Sequence, residues 1–404
     1  MMSRAPSRTP LRFPLLLKMA LLVGSLCTIV GLSEIAFRLF VPVTDVAFQF
    51  WDPVVGIRRK ANQRGINIAG DIIRANYNFN AQGWNYPRDF TMARSSNTLR
   101  ICITGDSYIE ALQVPCERQM AIVAEHALSI GGRAAEVYPF GCSGYGTAQE
   151  YQLIRHYLLD YKPDAIILFF TQNDVYDSSP YLGGIEPSIP AFALDDGDAL
   201  EPMGAFYWER SSSRRMVAGL ALSRYFLIQK RMLEWGALPR GPGGVVRREM
   251  SGAGTDRFRG DGMTDRQRGE KSWLLIEKLL AASKAECAES NVPFCVVFRG
   301  SLTEIQAAEQ GIATTPLPRD RDPFCMDNRI NDMGLDFVGP ICERLQIPYL
   351  DLTADLIAKV RETKRRHNFP DDDHYNTDAH EAAGKAMARW IQELVARGVV
   401  KPRG

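Results

Sequence analysis

The chain has 404 residues, of which 46% are hydrophobic and 24% charged, and its 48 Lys and Arg residues balance 47 Asp and Glu residues to a formal charge of +1. This composition is ordinary for a globular protein and excludes disorder, collagen and coiled coil as the main architecture. The balanced charge also argues against a nucleic-acid partner, which normally requires an excess of Lys and Arg.

An apolar stretch near the N-terminus predicts a membrane span. Residues 19–37 carry a single charge, Glu34, and four basic residues precede them. A helix of this length extends roughly 28 Å, enough to cross the hydrocarbon core of a bilayer. Basic residues on the N-terminal side predict a cytoplasmic leader (1–18) and export of the chain that follows.

We therefore expect an uncleaved signal anchor in the inner (cytoplasmic) membrane, single-pass, with a periplasmic remainder. A cleaved signal peptide is the main alternative, although no A-x-A site follows the apolar run. A buried helix of a soluble protein is the other alternative, and it leaves the basic leader unexplained.

The cysteines show no metal or redox motif, because no C-x-x-C pair occurs. Cys102, Cys142 and Cys295 lie in or beside apolar strand-like runs, where a thiol is usually a small buried hydrophobe. Four others are candidates for pairing in an oxidising compartment, although their spacing fixes no connectivity. These four are Cys116, Cys287, Cys325 and Cys342.

The exported part begins with a connecting segment, residues 43–97, rich in aromatic, Asn and Arg residues and expected to form loops and short strands. From Thr98 onward, apolar runs alternate with amphipathic segments, which is typical of βαβ units and a parallel sheet. The predicted strands lie within 99–107, 134–146, 164–170, 293–298 and 347–352. The predicted helices are 117–130, 147–160, 265–290, 332–346 and 377–396.

An insertion, 176–264, interrupts this alternation within a domain that we place at 98–398. It holds a predicted helix over 211–236, which we expect to pack against the main domain; a lid or a membrane-surface helix is the alternative. A glycine- and arginine-rich loop over 241–269 follows. Such a loop buries little apolar area, so we expect it to be mobile and solvated.

Polar residues follow the predicted strands at the points where the strands end. Ser107 follows the first strand, Gly144 the second and Asn173 the third, and His374 precedes the last helix. Ligands of open parallel sheets bind beyond the carboxyl ends of the strands. Each residue alone fits a turn or a helix cap. Together, in this order, they form a complete hydrolytic site.

The chemistry assigns a role to each of these residues. A serine hydroxyl becomes a nucleophile when an imidazole takes its proton and a carboxylate orients that imidazole. Ser107 lies where strand meets helix, and His374 alone among the five histidines stands in a loop beside carboxylates. The N–H groups of Ser107 and Gly144 and the side-chain amide of Asn173 are the candidate oxyanion donors.

With these residues in place, the sequence resembles the SGNH (GDSL-type) hydrolase family over roughly residues 98–398. The four residues that name the family match as Ser107 in ITGDSY, Gly144 in GCSGYG, Asn173 in TQND and His374 in DDDHYN. The resemblance implies an α/β fold, a flavodoxin-like three-layer α/β/α sandwich with a parallel sheet. It also implies a serine-dependent esterase or acyltransferase that needs no metal or other cofactor.

The sequence departs from the family pattern at two positions. Thr171 stands where the third block usually begins with Gly, and Tyr375 replaces the proline of the usual Asp-x-x-His-Pro block. Usual family spacing implies Asp371 as the triad carboxylate, whereas a variant with Asp two residues before His implies Asp372. A cation bound by this acidic run is a third interpretation, although no second ligand cluster is visible.

The anchor narrows the resemblance to a membrane-anchored bacterial branch. Its members, including alginate O-acetyltransferases, add or remove acetyl groups on cell-surface polysaccharides. We expect an exported, membrane-tethered serine esterase acting on acyl esters, acetyl esters above all, with cell-surface polysaccharide as the implied substrate class. A polysaccharide O-acetyltransferase using the same residues is the first alternative. A non-catalytic carbohydrate-binding or scaffold module is the second.

Overall fold

The computed structural model describes residues 15–94, 97–128, 132, 134–182, 189–203, 218–230, 262–312, 333–370 and 372–402. The chain divides into two compact units. The smaller unit combines residues 1–44 with 211–242, and the larger unit combines 45–210 with 243–404.

The helices and strands of the described residues follow the predicted alternation. The strands are β1 (Gln49–Asp52), β2 (Gly56–Arg59), β3 (Gln63–Ala69), β4 (Ile73–Phe79), β5 (Thr98–Gly105), β6 (Ala134–Gly141), β7 (Ala165–Phe170), β8 (Ala191–Leu194), β9 (Leu200–Met203), β10 (Phe294–Phe298), β11 (Tyr349–Asp351), β12 (Asn368–Phe369) and β13 (Asp372–Tyr375). The α-helices are α1 (Leu15–Phe40), α2 (Ser107–Glu110), α3 (Met120–Ala127), α4 (Thr147–Leu153), α5 (Asn173–Ser178), α6 (Ala221–Ser223), α7 (Asp265–Glu289), α8 (Leu302–Glu309), α9 (Met333–Arg344), α10 (Thr353–Thr363) and α11 (Thr377–Ala396).

A five-stranded sheet organises the larger unit. Its strands lie in the order β6, β5, β7, β10, β11, and all neighbouring pairs are parallel. Of these five strands, the first in the chain (β5) therefore lies between the second (β6) and the third (β7), which is the flavodoxin-like order. The predicted parallel sheet and fold class are confirmed.

Alternating side chains of these strands build a separate core on each face of the sheet. On one face, Phe140, Leu168 and Val296 pack with side chains of α4, α7 and α9. On the other face, Ile103 and Val297 pack with α3, α8, α10 and α11. The sheet is thus the middle of three layers, as predicted.

Residues 45–94 contribute to the first of these cores as well as forming the predicted short strands. Hairpins β1–β2 and β3–β4 are antiparallel. Beyond them, the buried rings of Trp84 and Phe90 lie 5.2 and 5.1 Å from the ring of Phe140. The segment is therefore part of the hydrophobic core of the larger unit.

The predicted helix 265–290, which follows the insertion, is confirmed as α7 (Asp265–Glu289). Residues 265–269, which the predicted loop 241–269 shares with that helix, belong to the helix and form its first turns, so the loop prediction is wrong for these five residues. Thr264 and Gln267 make reciprocal hydrogen bonds in a capping box, which fixes the start of this helix. The predicted loop over 241–261 lies outside the described residues. Of the predicted helix 211–236, the structure describes 218–230, which contain α6 and a π-helical turn, Arg224–Gln229.

The smaller unit contains α1, which has 26 residues and a mean hydropathy of 2.2 over its most apolar window. Its length and composition suffice to cross a membrane, and its side chains are not buried. The predicted span 19–37 lies inside this helix.

The cysteine thiols of the larger unit are buried wherever they are described. Cys102, Cys142 and Cys295 are free buried thiols, which confirms their prediction. Of the four pairing candidates, Cys116, Cys287 and Cys342 are also free and buried, while Cys325 lies outside the described residues. Burial raises the pKa of Cys142 to about 12, and the same cause raises those of Cys116, Cys287 and Cys342 to about 12.

Burial of His380 predicts a pH-dependent stability. This side chain of α11 accepts a hydrogen bond at Nδ1 from the N–H of Met120, at 3.2 Å. Burial, aided by the charge of nearby His374, lowers its pKa from 6.5 to about 3. Between these two values the unfolded chain binds a proton that the folded chain does not, so the free energy of unfolding falls as pH falls. The slope is about 1.4 kcal/mol per pH unit.

His380→Gln keeps an acceptor for Met120 and removes the titrating group. We expect the difference in unfolding free energy between wild type and variant, from urea denaturation, to change by about 1.4 kcal/mol for each pH unit below about 6. A difference that stays constant with pH contradicts this account of His380.

Candidate active site

The candidate nucleophile lies on the turn between β5 and α2. Asp106 caps α2, since its Oδ1 accepts the N–H of Tyr108 at 2.9 Å, and Ser107 is the first helical residue. The turn lies directly on the neighbouring strand, because a Cβ added to Gly141 would come within 2.4 Å of the backbone N of Glu110. Strand ends and helix start therefore fix the position of Ser107.

A hydrogen-bonded chain links three of the predicted residues. Ser107 Oγ lies 2.6 Å from His374 Nε2. His374 Nδ1 is hydrogen-bonded to Asp372 Oδ1, which also accepts the backbone N–H of His374 at 2.9 Å. The His374 side chain is 27% exposed, so the chain of hydrogen bonds is reachable from solvent.

The local strand explains why Asp372 meets the histidine. Asp372 and His374 belong to β13, which pairs with β12, and residues two apart on a strand project to the same face. Asp371, the alternative implied by usual family spacing, lies outside the described residues. The geometry around His374 thus corresponds to the variant with Asp two residues before His.

The other four histidines are not hydrogen-bonded to Ser107; two of them have other partners and two lie in helical segments. His367 Nδ1 lies 2.6 Å from Glu309 Oε1, and the ring is buried. His380 accepts from the backbone in the core, and His126 and His156 belong to helical segments.

The two backbone N–H groups of the predicted oxyanion hole have no protein acceptor within the described part of the chain. Among the described residues, neither the N–H of Ser107 nor that of Gly144 donates to a protein group. Gly144 has φ +84°, a conformation that favours glycine, and a Cβ there would meet nothing within 4 Å. Backbone geometry therefore favours glycine at this position, and the space beside its Cα is open.

Asn173 is engaged differently from the prediction that it donates to an oxyanion. Its Nδ2 donates to Asp106 Oδ2 at 3.0 Å and to Asp177 Oδ2 at 2.9 Å, so both amide hydrogens point at carboxylates. Thr171 Oγ1, at the position of the usual family glycine, lies 2.7 Å from Asn173 Oδ1 and 3.0 Å from Asp106 Oδ2. Donation to an oxyanion requires the amide to turn, and that role of Asn173 stays a prediction.

Buried carboxyl groups lie beneath the site. Burial raises the pKa of Asp106, and it raises the pKa values of Glu150 and Asp174 well above the ordinary range. Repulsion by neighbouring carboxylates, that of Asp106 in both cases, adds to the effect. Both side-chain oxygens of Glu150 lack a hydrogen-bond partner. Within the described ranges, no group of three or more His, Cys, Asp and Glu side chains is placed to hold a metal ion.

A clamp that sequence reasoning missed ties the nucleophile turn to the histidine strand. The hydroxyl of Tyr108 donates to the carbonyl of Asp373 at 2.7 Å, and its ring centroid lies 5.1 Å from that of His374. Buried Arg299 donates to the Tyr108 hydroxyl and accepts, at its carbonyl, the hydroxyl of Tyr375. Tyr375, at the position of the family proline, thus binds the residue that holds Tyr108.

A buried ion pair, also missed, fixes the other side of the turn. Arg59, the last residue of β2, donates from Nε to Glu110 Oε1 at 2.5 Å and from Nη2 to Oε2 at 3.0 Å. The N–H and hydroxyl of Ser143 also donate to Glu110 Oε2. Burial alone raises the pKa of Glu110, but Arg59 and Ser143 outweigh it and lower that pKa. The carboxylate therefore joins α2 to the loop that carries Gly144.

Removing Arg59 leaves the Glu110 carboxylate buried without its cation. We expect Arg59→Met to lower the free energy of unfolding by roughly 3–5 kcal/mol, the usual cost of breaking a buried pair. The double variant Arg59→Met/Glu110→Gln is expected to recover part of that loss, because no charge then stays buried. Urea denaturation of the wild type, both single variants and the double variant measures the coupling. Additive losses contradict the ion-pair account.

The chain matches no protein-family model and no curated protein. Among solved structures, the acetyl xylan esterase AlAXEase matches at 12% identity and a TM-score of 0.37, covering 72% of this chain and 100% of that one. TesA matches at 10% identity and a TM-score of 0.36, covering 73% and 99%. A two-domain esterase active on acetylated mannans matches at 10% and 0.37, covering 74% and 50%. At these identities and TM-scores the matches carry no argument. The assignment of the fold rests on the strand order of the five-stranded sheet.

Proposed function

We propose that this chain is an exported, membrane-tethered serine esterase of the SGNH (GDSL) type that cleaves acyl esters, acetyl esters above all. The observation that carries the proposal is the hydrogen-bonded chain from Ser107 through His374 to Asp372. It lies beyond the carboxyl end of β5, the strand between β6 and β7 at which the chain order reverses. Open α/β sheets bind ligands at such a reversal.

In the proposed mechanism, His374 Nε2 takes the proton of Ser107 Oγ as that oxygen attacks the ester carbonyl. Asp372 holds the imidazole in the required tautomer and stabilises the imidazolium. The N–H groups of Ser107 and Gly144 donate to the oxyanion. His374 then protonates the departing alcohol, and water activated by the same imidazole releases the acid. Every step uses side chains and amides of this chain.

The proposed setting is the inner membrane, with the catalytic unit on the periplasmic side. The length and hydropathy of α1 and the basic residues before it support this topology. Cell-surface polysaccharide carrying acetyl groups is the substrate class that we propose, on the family resemblance together with that topology.

Hydrolysis of p-nitrophenyl acetate by the full chain in detergent tests the esterase proposal. We expect turnover by the wild type and background rates for Ser107→Ala, with an organophosphonate probe labelling only the wild type. Release of p-nitrophenol only when a sugar acceptor is added reassigns the chain to the acyltransferases. Equal background rates, together with an unlabelled wild-type serine, overturn the catalytic proposal.

Three adjacent acids provide matched variants for the carboxylate role. We expect Asp372→Asn to lower kcat by roughly 10⁴, the loss typical when the orienting carboxylate of a triad becomes an amide. Asp373→Asn keeps the backbone carbonyl that Tyr108 contacts and is expected to retain activity within a factor of about 3, as surface substitutions do. A large loss in Asp371→Asn with an active Asp372→Asn assigns the role to Asp371 and contradicts the proposal for Asp372.

A further inference from the structure

The single acidic residue of α1 is bound to another part of the smaller unit. The Glu34 carboxylate accepts the backbone N–H of Ala221 at 2.7 Å and that of Leu222 at 3.0 Å. The first N–H groups of a helix have no partner within the helix, and a carboxylate satisfies them well. Glu34 therefore caps α6 across 187 residues of sequence.

Arg38, one turn further along α1, completes the connection. Its Nε donates to Glu34 Oε1 at 2.7 Å and its Nη2 donates to the carbonyl of Gly219 at 2.6 Å. At the other end of the segment, the side chain of Gln229 accepts the N–H of Thr44 at 3.0 Å. Residues 218–230 are thus attached both to the C-terminal end of α1 and to the chain that leaves it.

Aromatic side chains line this junction. The ring of Phe37 lies 5.2 Å from that of Tyr225, edge to face, and 5.8 Å from that of Phe226. Leu220 and Phe226 remain 38% and 41% exposed in the protein alone. Aromatic rings accompanied by Arg and Lys are characteristic of the boundary between hydrocarbon and water.

The position of this junction along α1 indicates that the partner of its exposed apolar side chains is the lipid bilayer. The part of the helix before Glu34, residues 15–32, carries a single charge, Lys18 in its first turn, and extends roughly 27 Å, close to the thickness of the hydrocarbon core. Glu34 and Arg38 then lie at the boundary, where a charge retains water. Gly219, Ala221 and Leu222, which contact Arg38 and Glu34, therefore lie at the same depth, at the boundary between hydrocarbon and water.

We propose that residues 218–230 form a membrane-surface element that inserts Leu220 and Phe226 among the lipids around the exit of α1, with Glu34 holding it in place. The proposal rests on the membrane tethering described under Proposed function. The partner of this membrane-surface element is the phospholipid surface that α1 itself enters. The chain is then attached to the bilayer at two places that are far apart in sequence.

Depth-dependent fluorescence quenching tests this placement. The full chain is labelled with bimane at Phe226→Cys, after exposed Cys27 has been replaced by Ser and Cys325, which lies outside the described residues, has been replaced as well. It is reconstituted in phosphatidylcholine/phosphatidylglycerol nanodiscs that contain doxyl-labelled lipid. Ile29→Cys in α1 is the control for insertion. Met92→Cys, in the larger unit and 57% exposed, is the control for a solvated apolar site. We expect quenching at 226 to exceed that at 92 at least twofold.

Substitution of Glu34, which caps α6, distinguishes the attachment of residues 218–230 to α1 from the insertion of α1 itself into the membrane. In Glu34→Ala we expect quenching at 226 to fall by at least half while quenching at 29 stays unchanged, and Ser33→Ala is expected to change neither. Glu34→Gln, which keeps an acceptor oxygen, is expected to give an intermediate loss.

Three results overturn the inference. Quenching at 226 no greater than at 92, with 29 quenched, shows that the segment does not reach lipid, although the tether stands. Unchanged quenching at 226 in Glu34→Ala removes the role of Glu34. An unquenched label at 29 overturns the tethering itself, whereas failure of the esterase proposal is detected separately by Ser107→Ala.

Discussion

The direction of five strands is the constraint on which the candidate site depends. Because all five are parallel, their carboxyl ends share one edge of the sheet, and the order β6, β5, β7 places the first strand between the next two. Residues far apart in sequence, Ser107 after β5 and Asn173 after β7, are thereby brought to one crevice. Only His374 arrives differently, on a short hairpin that leads into α11. The hydrogen bonds of Tyr108 then connect that hairpin to the serine turn.

A second consequence of this geometry is a concentration of buried carboxyl groups. On one side of α2, the carboxylate of Glu110 is paired with Arg59 and accepts from Ser143, so its charge is stabilised. On the other side, Glu150 and Asp174 have no described cation beside them, and burial raises their pKa values. Two buried carboxyl environments with opposite pKa shifts thus flank one short turn. The paired side holds the loop that carries Gly144, and the unpaired side includes Asp174, the neighbour of Asn173.

The helices and strands that could be predicted from the sequence are those whose signals lie in neighbouring residues. Apolar runs marked the sheet strands, and α11 was predicted with the bounds that the structure shows, because Asn376 caps its first turn. Helices α8 and α10 were not predicted, since short amphipathic stretches beside loops give weak periodicity. The first residues of α7 were predicted both as helix and as the end of a loop, and the structure shows the helix. The choice between Asp371 and Asp372 depended on whether the segment before His374 is extended, which spacing alone does not reveal. Arg59 and Tyr375 were missed because their roles exist only through contacts distant in sequence; a tyrosine at the usual proline position was the available signal.

The buried thiols have a consequence for how such a chain is made. At a pKa of about 12, only about one thiol in 10⁵ is ionised at neutral pH, and the thiolate is the species that exchanges or forms disulfides. The described cysteines of the larger unit are free and hidden from oxidants by the same packing that builds its two cores. The described part of the larger unit is therefore held together without a disulfide among these cysteines, so its packing is the same on either side of a membrane, whether or not that compartment is oxidising.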